Sequence, residues 1–168
     1  MNVKYPGVIT SILVSVLLLA NQTALAAQES GPILLTSNAE VEVIKTDVTG
    51  KQSIKRELAT EVVPGKDVIY TLTFENVGSI SGKDIVINNP IPEHTVYKTG
   101  SASGTDTRIS FSVDGGQSFA SPEQLTVTEA DGSTRTAKAS EYTTIRWQYT
   151  KQLPPGKKSS VEFRVVLQ

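Results

Sequence analysis

Lys66–Pro92 reads KDVIYTLTFENVGSISGKDIVINNPIP, and its patterning decides the fold. Val68, Tyr70, Leu72 and Phe74 alternate with Ile69, Thr71, Thr73 and Glu75. A period of two sends successive side chains to opposite faces, so this is a β-strand with one dry face and one wet face. Asn76–Gly82 is a turn-rich break. Asp84–Asn88 is a second strand, ended by Pro90 and Pro92. The pair is expected to form the middle of an antiparallel sandwich.

The other strands are placed outward from this pair. Upstream, Pro64-Gly65 is a turn signal. Before it, Glu40–Thr46 alternates through Val41 and Val43, with Ile44 out of phase. Asp47–Gly50 turns that strand into a hairpin partner, Gln52–Leu58, with Gly50 suited to a positive φ. Downstream come the short strand Thr95–Lys98, then Arg108–Val113, then Gln124–Thr128. Asp131-Gly132 is a hairpin-turn candidate. Tyr142–Tyr149 alternates through Ile145, Trp147 and Tyr149, and Ser160–Gln168 through Val161, Phe163, Val165 and Leu167. The reading is all-β, with about eight short strands, Gly/Pro turns between them, and no sustained helical periodicity. The predicted inward residues are Val68, Tyr70, Leu72, Phe74, Ile85, Ile87, Phe111, Ile145, Trp147, Phe163 and Val165.

Residues 1–26 read as a signal peptide rather than as part of the fold. Lys4 is the positive n-region, and VITSILVSVLLLA over Val8–Ala20 is too short for a comfortable span of about 20 residues. Ala24-Leu25-Ala26 is the small-x-small cleavage pattern, with the cut before Ala27. Residues 27–39 read as an N-terminal leader, polar over Gln28–Pro32 and apolar at Ile33, Leu34 and Leu35. The sandwich is expected over 40–168, with no later membrane span and no C-terminal anchor. The expected location is outside the cytoplasm: periplasm, cell surface or medium.

There is no cysteine, which excludes disulfides, thiolate metal sites and lipid attachment at the cleavage site. Small secreted animal modules are usually stapled by disulfides, so an exported cysteine-free chain points to a bacterium. Removing Lys4 from the 16 basic residues leaves 15 against 17 acidic ones. That balance argues against nucleic acid or an anionic membrane as the partner.

Several motifs then match a known family in order. Pro64-Gly65-Lys66-Asp67-Val68-Ile69-Tyr70 through Asn76-Val77-Gly78 resembles the PGD-x-V-x-Y-T … N-x-G opening of the bacterial DUF11 repeat domain. Ile85–Pro92 is similar to its V-x-V-x-D-x-L-P strand and turn, with Asn89 in place of the usual Asp. Asn caps such a turn equally well. Leu153-Pro154-Pro155-Gly156, followed by Val161–Val165, resembles its closing strand. The resemblance covers about residues 40–168. It implies an immunoglobulin-like sandwich on an exported bacterial protein, usually repeated and without assigned activity. Only one copy is present here, which makes a poor stalk.

The chemistry-bearing residues are few. Ser112, Asp114, Gly116 and Phe119 fit the S-x-D-x-G-x-x-W/F pattern of an Asp-box. In sialidase-type propellers the Asp of such a box caps a hairpin turn and the aromatic packs beneath it. A propeller needs one box on each of several blades, so a single box reads as structural. His94 is the only histidine, and no G-x-S-x-G accompanies it. Asp84, Asn88, Asn89, Asp106, Asp114 and Asp131 fall at strand ends and turns, and no D-x-[DN]-x-[DN]-G calcium loop connects them. Lys151, Lys157 and Lys158 read as a solvated rim that discourages edge pairing.

The expected function is therefore non-enzymatic, without cofactor or metal. It is a protein-interaction or envelope-structural module whose partner is another envelope or surface protein. A glycan-binding module is the alternative, motivated by the Asp-box and by Tyr97, Tyr142 and Tyr149. In a third reading the apolar Ile33–Leu35 segment inserts into a neighbour's sheet, as in a pilin-like assembly.

Overall fold

A computed structural model describes residues 32–168. The signal segment and the cleavage residues Ala24, Ala26 and Ala27 lie outside the described residues. The described residues form an all-β antiparallel sandwich, with one 3-10 turn among them at Ala139–Glu141.

The larger sheet runs in the order β2 (Gln52–Leu58), β1 (Ile33–Thr46), β3 (Asp67–Asn76), β11 (Lys158–Leu167), β5 (Thr95–Tyr97), with β6 (Ser103–Gly104) also on β11. The smaller sheet is β4 (Val86–Pro90), β10 (Thr144–Tyr149), β7 (Thr107–Ser112). A separate hairpin joins β8 (Thr126–Thr128) to β9 (Thr134–Thr136), turning at Gly132 with φ 84 as the Asp-Gly pair predicts.

The organising strand β3 lies at the centre of the larger sheet, between β1 and β11. Its expected companion is not its neighbour. Asp84, with φ 51, and the turn before it carry the chain across to the other sheet, where β4 begins at Val86 and forms an edge. The strand order of the sandwich departs from the immunoglobulin layout expected, because two strands exchange sheets. Taking β1, β3, β4, β5, β7, β10 and β11 as strands A to G, the sheets run A-B-G-D and C-F-E rather than A-B-E-D and C-F-G. The last strand thus sits beside the organising one.

The core lies between the two sheets and is built by the predicted faces. Phe74, Ile145, Trp147, Phe163 and Val165 are fully buried, and Val68, Leu72, Ile85, Ile87 and Phe111 nearly so. Tyr70 is only partly buried and stacks on Phe163 with 5.1 Å between ring centroids. Trp147 packs 5.9 Å from the Phe163 ring, and its indole N–H donates to the Ser103 carbonyl at 3.1 Å. That bond meets the polar requirement of a buried tryptophan.

Two expectations at the N-terminal side are corrected. Strand β1 starts at Ile33 rather than Glu40, and residues 33–39 pair with β3 in the register Ile33↔Asn76 to Ala39↔Tyr70. Ile33–Leu35 therefore already serves as a strand of its own sheet rather than as a free inserting segment. Ile69, expected on the wet face, has 0% exposure. On that face it is flanked by Glu40 on β1 and Arg164 on β11. Arg164 forks onto Glu42 at 2.8 and 3.1 Å, so its aliphatic stem lies along the sheet beside Ile69. Arg56 on β2 likewise forks onto Glu162 of β11 at 2.6 and 3.1 Å, although β1 and β3 separate those strands. The β1–β2 hairpin must therefore curl over this face. The curl dries a position that alternation alone assigns to water.

Candidate functional site

The Asp-box residues come together at the end of β7. Ser112 is fully buried opposite Thr144. Its hydroxyl donates to Asp114 Oδ1 at 2.6 Å and accepts the Gly116 N–H at 2.8 Å. The Asp114 carboxylate also accepts the N–H groups of Gln117 (2.9 Å) and Ser118 (3.0 Å) and the Ser118 hydroxyl (2.5 Å). The Ser112 bond first, then the Ser118 bonds, hold this carboxyl far below the usual carboxylate range. Gly116 has φ 90, and a Cβ there would sit 3.6 Å from the Phe119 ring. Phe119 is half-buried, and the Arg146 guanidinium lies 3.6 Å above its centroid. Arg146 Nε also donates to Asn88 Oδ1 at 2.8 Å. Chemically, the carboxylate is consumed by its own turn, so the box is a cap.

The residues carrying the family resemblance act as ties rather than as a cleft. Gly65, with φ 83, donates its N–H to Leu167 O at 2.7 Å and anchors the Pro64-Gly65 turn to the end of β11. Asp67 pairs with Lys98. Asn76 is fully buried and is the principal polar knot. Its amide donates to Ile80 O and Leu153 O, both at 2.7 Å, and its Oδ1 accepts the Gly78 N–H at 2.9 Å. Its own carbonyl accepts the N–H of Gly156, the positive-φ residue after Pro155, at 2.8 Å. Asn89 donates to the Pro90 carbonyl, and the Pro92 carbonyl accepts the Thr95 hydroxyl.

The remaining candidates are dispersed. Asp84 and Asp106 stand on left-handed turns with φ 51 and 55, Asn88 is engaged with Arg146, and Asp131 caps its own hairpin through Ser133. Among the described residues no three His, Cys, Asp or Glu side chains converge. His94 is exposed with φ 59. Lys158 pairs with Glu75 at 2.8 Å. Tyr97 and Tyr142 are buried around Phe111, and Tyr149 packs edge-on against Phe74. These tyrosines offer no exposed stacking platform.

One exposed feature was not singled out from the sequence. All seven residues of β2 are exposed, and β2 is the terminal strand of its sheet. Ile44 and Ile54 face each other across the hairpin at 67% and 69% exposure, and Val48 at its tip is fully exposed. Between residues 41–44 of β1 and the loop 61–67 lies a cleft of about 660 Å³, lined by Val41, Val43, Val62 and Val63. The sequence did carry a signal for this, since Ile44 breaks the Val41/Val43 phase.

Comparison with protein-family models, with curated proteins and with solved structures gives no match to this chain.

Proposed function

We propose that this chain is an exported bacterial β-sandwich of DUF11-like type that works without catalysis, by binding another envelope or surface protein. The observation that carries the reading is the β1–β2 hairpin: an edge strand exposed at every residue, with Ile44 and Ile54 paired in water. An edge strand presents unpaired N–H and C=O groups, and apolar side chains beside them add affinity and register. The structural duties of Gly65, Asn76 and Gly156 support the resemblance, because they give its motif residues a physical reason to occur together.

The test is site-specific photo-cross-linking on intact cells, with the probe at Ile54 or, as control, at Gln168. A single discrete adduct from Ile54 alone is expected, and it should vanish in the Ile44→Lys/Ile54→Lys variant. Both isoleucines are exposed, so the melting temperature of that variant should stay within a few degrees. Equal labelling from both positions, or an adduct that survives the double variant, refutes the reading.

A further inference from the structure

The charged side chains are distributed unevenly between the two sheets. Arg56, Arg164 and Arg135 each fork onto carboxylates, on Glu162, on Glu42, and on Glu129 with Glu141 respectively. Lys45, Lys98 and Lys158 are also paired, all along the larger sheet. The outer face of β4-β10-β7 carries no ion pair among the described residues. Its two arginines, Arg108 and Arg146, meet no carboxylate there.

Those arginines are near neighbours. Arg146 is in register with Ser110, and Arg108 with Gln148, so the two sit on one diagonal of an antiparallel pair, roughly 7–8 Å apart at the backbone. Arg146 is already oriented. Its flat face rests on Phe119 and its Nε is held by Asn88, and neither contact uses its terminal nitrogens. At the end of the same face Arg108, Lys83 and Lys151 surround a cleft of about 300 Å³, floored by Gln148 and Gln152. Among the described residues Asp84 is the only carboxylate lining that cleft.

We propose that this face binds an anionic polysaccharide, one bearing carboxylate or sulfate groups along its chain. Guanidinium forks match planar, two-oxygen anions. Ser110 and Gln148 lie between the two arginines and Asn88 flanks Arg146 on its other side, which supplies donors and acceptors for sugar hydroxyls. A flat row of separated cations suits a repeating polymer rather than one small anion. The surface is distinct from the β1–β2 hairpin, so the proposal stands or falls apart from the protein-partner reading.

Affinity electrophoresis and titration calorimetry of the purified chain would test it, using polygalacturonate, dextran sulfate, neutral dextran and polyglutamate. Retardation is expected with polygalacturonate or dextran sulfate, weakening with added salt, and none with neutral dextran. Arg108→Ser and Arg146→Gln should each lower affinity about tenfold, as loss of a charge-assisted hydrogen bond does. Lys151→Gln, on an exposed side chain, should weaken binding without changing the melting temperature. Absence of retardation by both anionic glycans, or wild-type affinity in Arg108→Ser/Lys151→Gln, overturns the proposal. So does tighter binding to polyglutamate than to either glycan, which would make the ligand an acidic peptide.

Discussion

Replacing Asn76 by Ala is expected to be among the most damaging polar substitutions in this protein. The side chain is fully buried and makes three hydrogen bonds, to Ile80 O, to Leu153 O and from the Gly78 N–H. Leu153 O keeps a second donor, the Gly82 N–H at 2.9 Å, so its loss is one ordinary bond. Ile80 O and the Gly78 N–H lose their side-chain partner in a half-buried turn that water can partly reach. At about 1 kcal/mol for each bond, Asn76→Ala should cost about 3 kcal/mol. For a domain of this size that lowers the melting temperature by roughly 10 °C. Thermal and urea unfolding followed by circular dichroism would measure it, with Asn89→Ala as control because Asn89 makes one local bond to Pro90. Asn76→Asp should be worse still at neutral pH, since it turns two donors toward carbonyls into acceptors. A loss below about 1 kcal/mol, or equal losses at Asn76 and Asn89, would refute the assignment of Asn76 as the knot that joins the two turns.

Trp147→Ala removes the largest fully buried side chain and should cost about 3–5 kcal/mol, read from the urea midpoint. Ile69→Ala should cost about 3 kcal/mol if the curled hairpin and the Arg164 stem do bury it, and almost nothing if the position is wet. Gly104→Ala brings a Cβ to 2.7 Å from Val161 Cγ1 and 2.9 Å from Thr107 Oγ1, so the β6 contact with β11 should loosen at a cost of about 1–3 kcal/mol. Acid should destabilise the fold through carboxyls whose folded pKa is depressed. Glu141, held by Arg135 and then by the Lys138 N–H, falls from 4.5 to about 2. Its contribution is fully present above about pH 5 and is lost as pH falls toward 2, and that of Asp114, whose carboxyl is depressed further, is lost at lower pH still. Arg135→Gln should flatten that acid limb in a series of melts against pH.

The strand faces were legible because burial follows a period of two wherever one face is dry. Leu72, Phe74, Ile145, Trp147, Phe163 and Val165 all fall where alternation puts them. The turns were legible too, because Gly50, Gly65, Gly132 and Gly156 occupy left-handed conformations that few other residues tolerate. Strand partnership was not, because hydrophobic pattern fixes which way a side chain points but not which strand lies alongside. That is why β3 and β4 read as a pair although they belong to different sheets. Ile69 and Leu34–Leu35 depended on long-range packing that no local window contains. At the Asp-box the residue pattern sufficed, since Ser112, Asp114, Gly116 and Phe119 interact within one turn. The Arg108–Arg146 face had no linear signature, because β7 and β10 bring it together from distant parts of the chain.

The placement of β11 has a consequence for the order of assembly. One hydrogen-bonding edge of β3 is covered by β1, which precedes it in the chain, but the other is completed only by Lys158–Val166. Until those residues are available, Tyr70, Leu72 and Phe74 lie along an open seam, and β5 has no neighbour in its sheet. Closure therefore waits on a slow kind of event, a search between distant parts of the chain. A nascent chain lacking this strand remains pliable, unable to lock prematurely and exposed to joining another chain's edge in its place. The final strand acts as a latch, and the timing of its arrival governs when the domain becomes rigid.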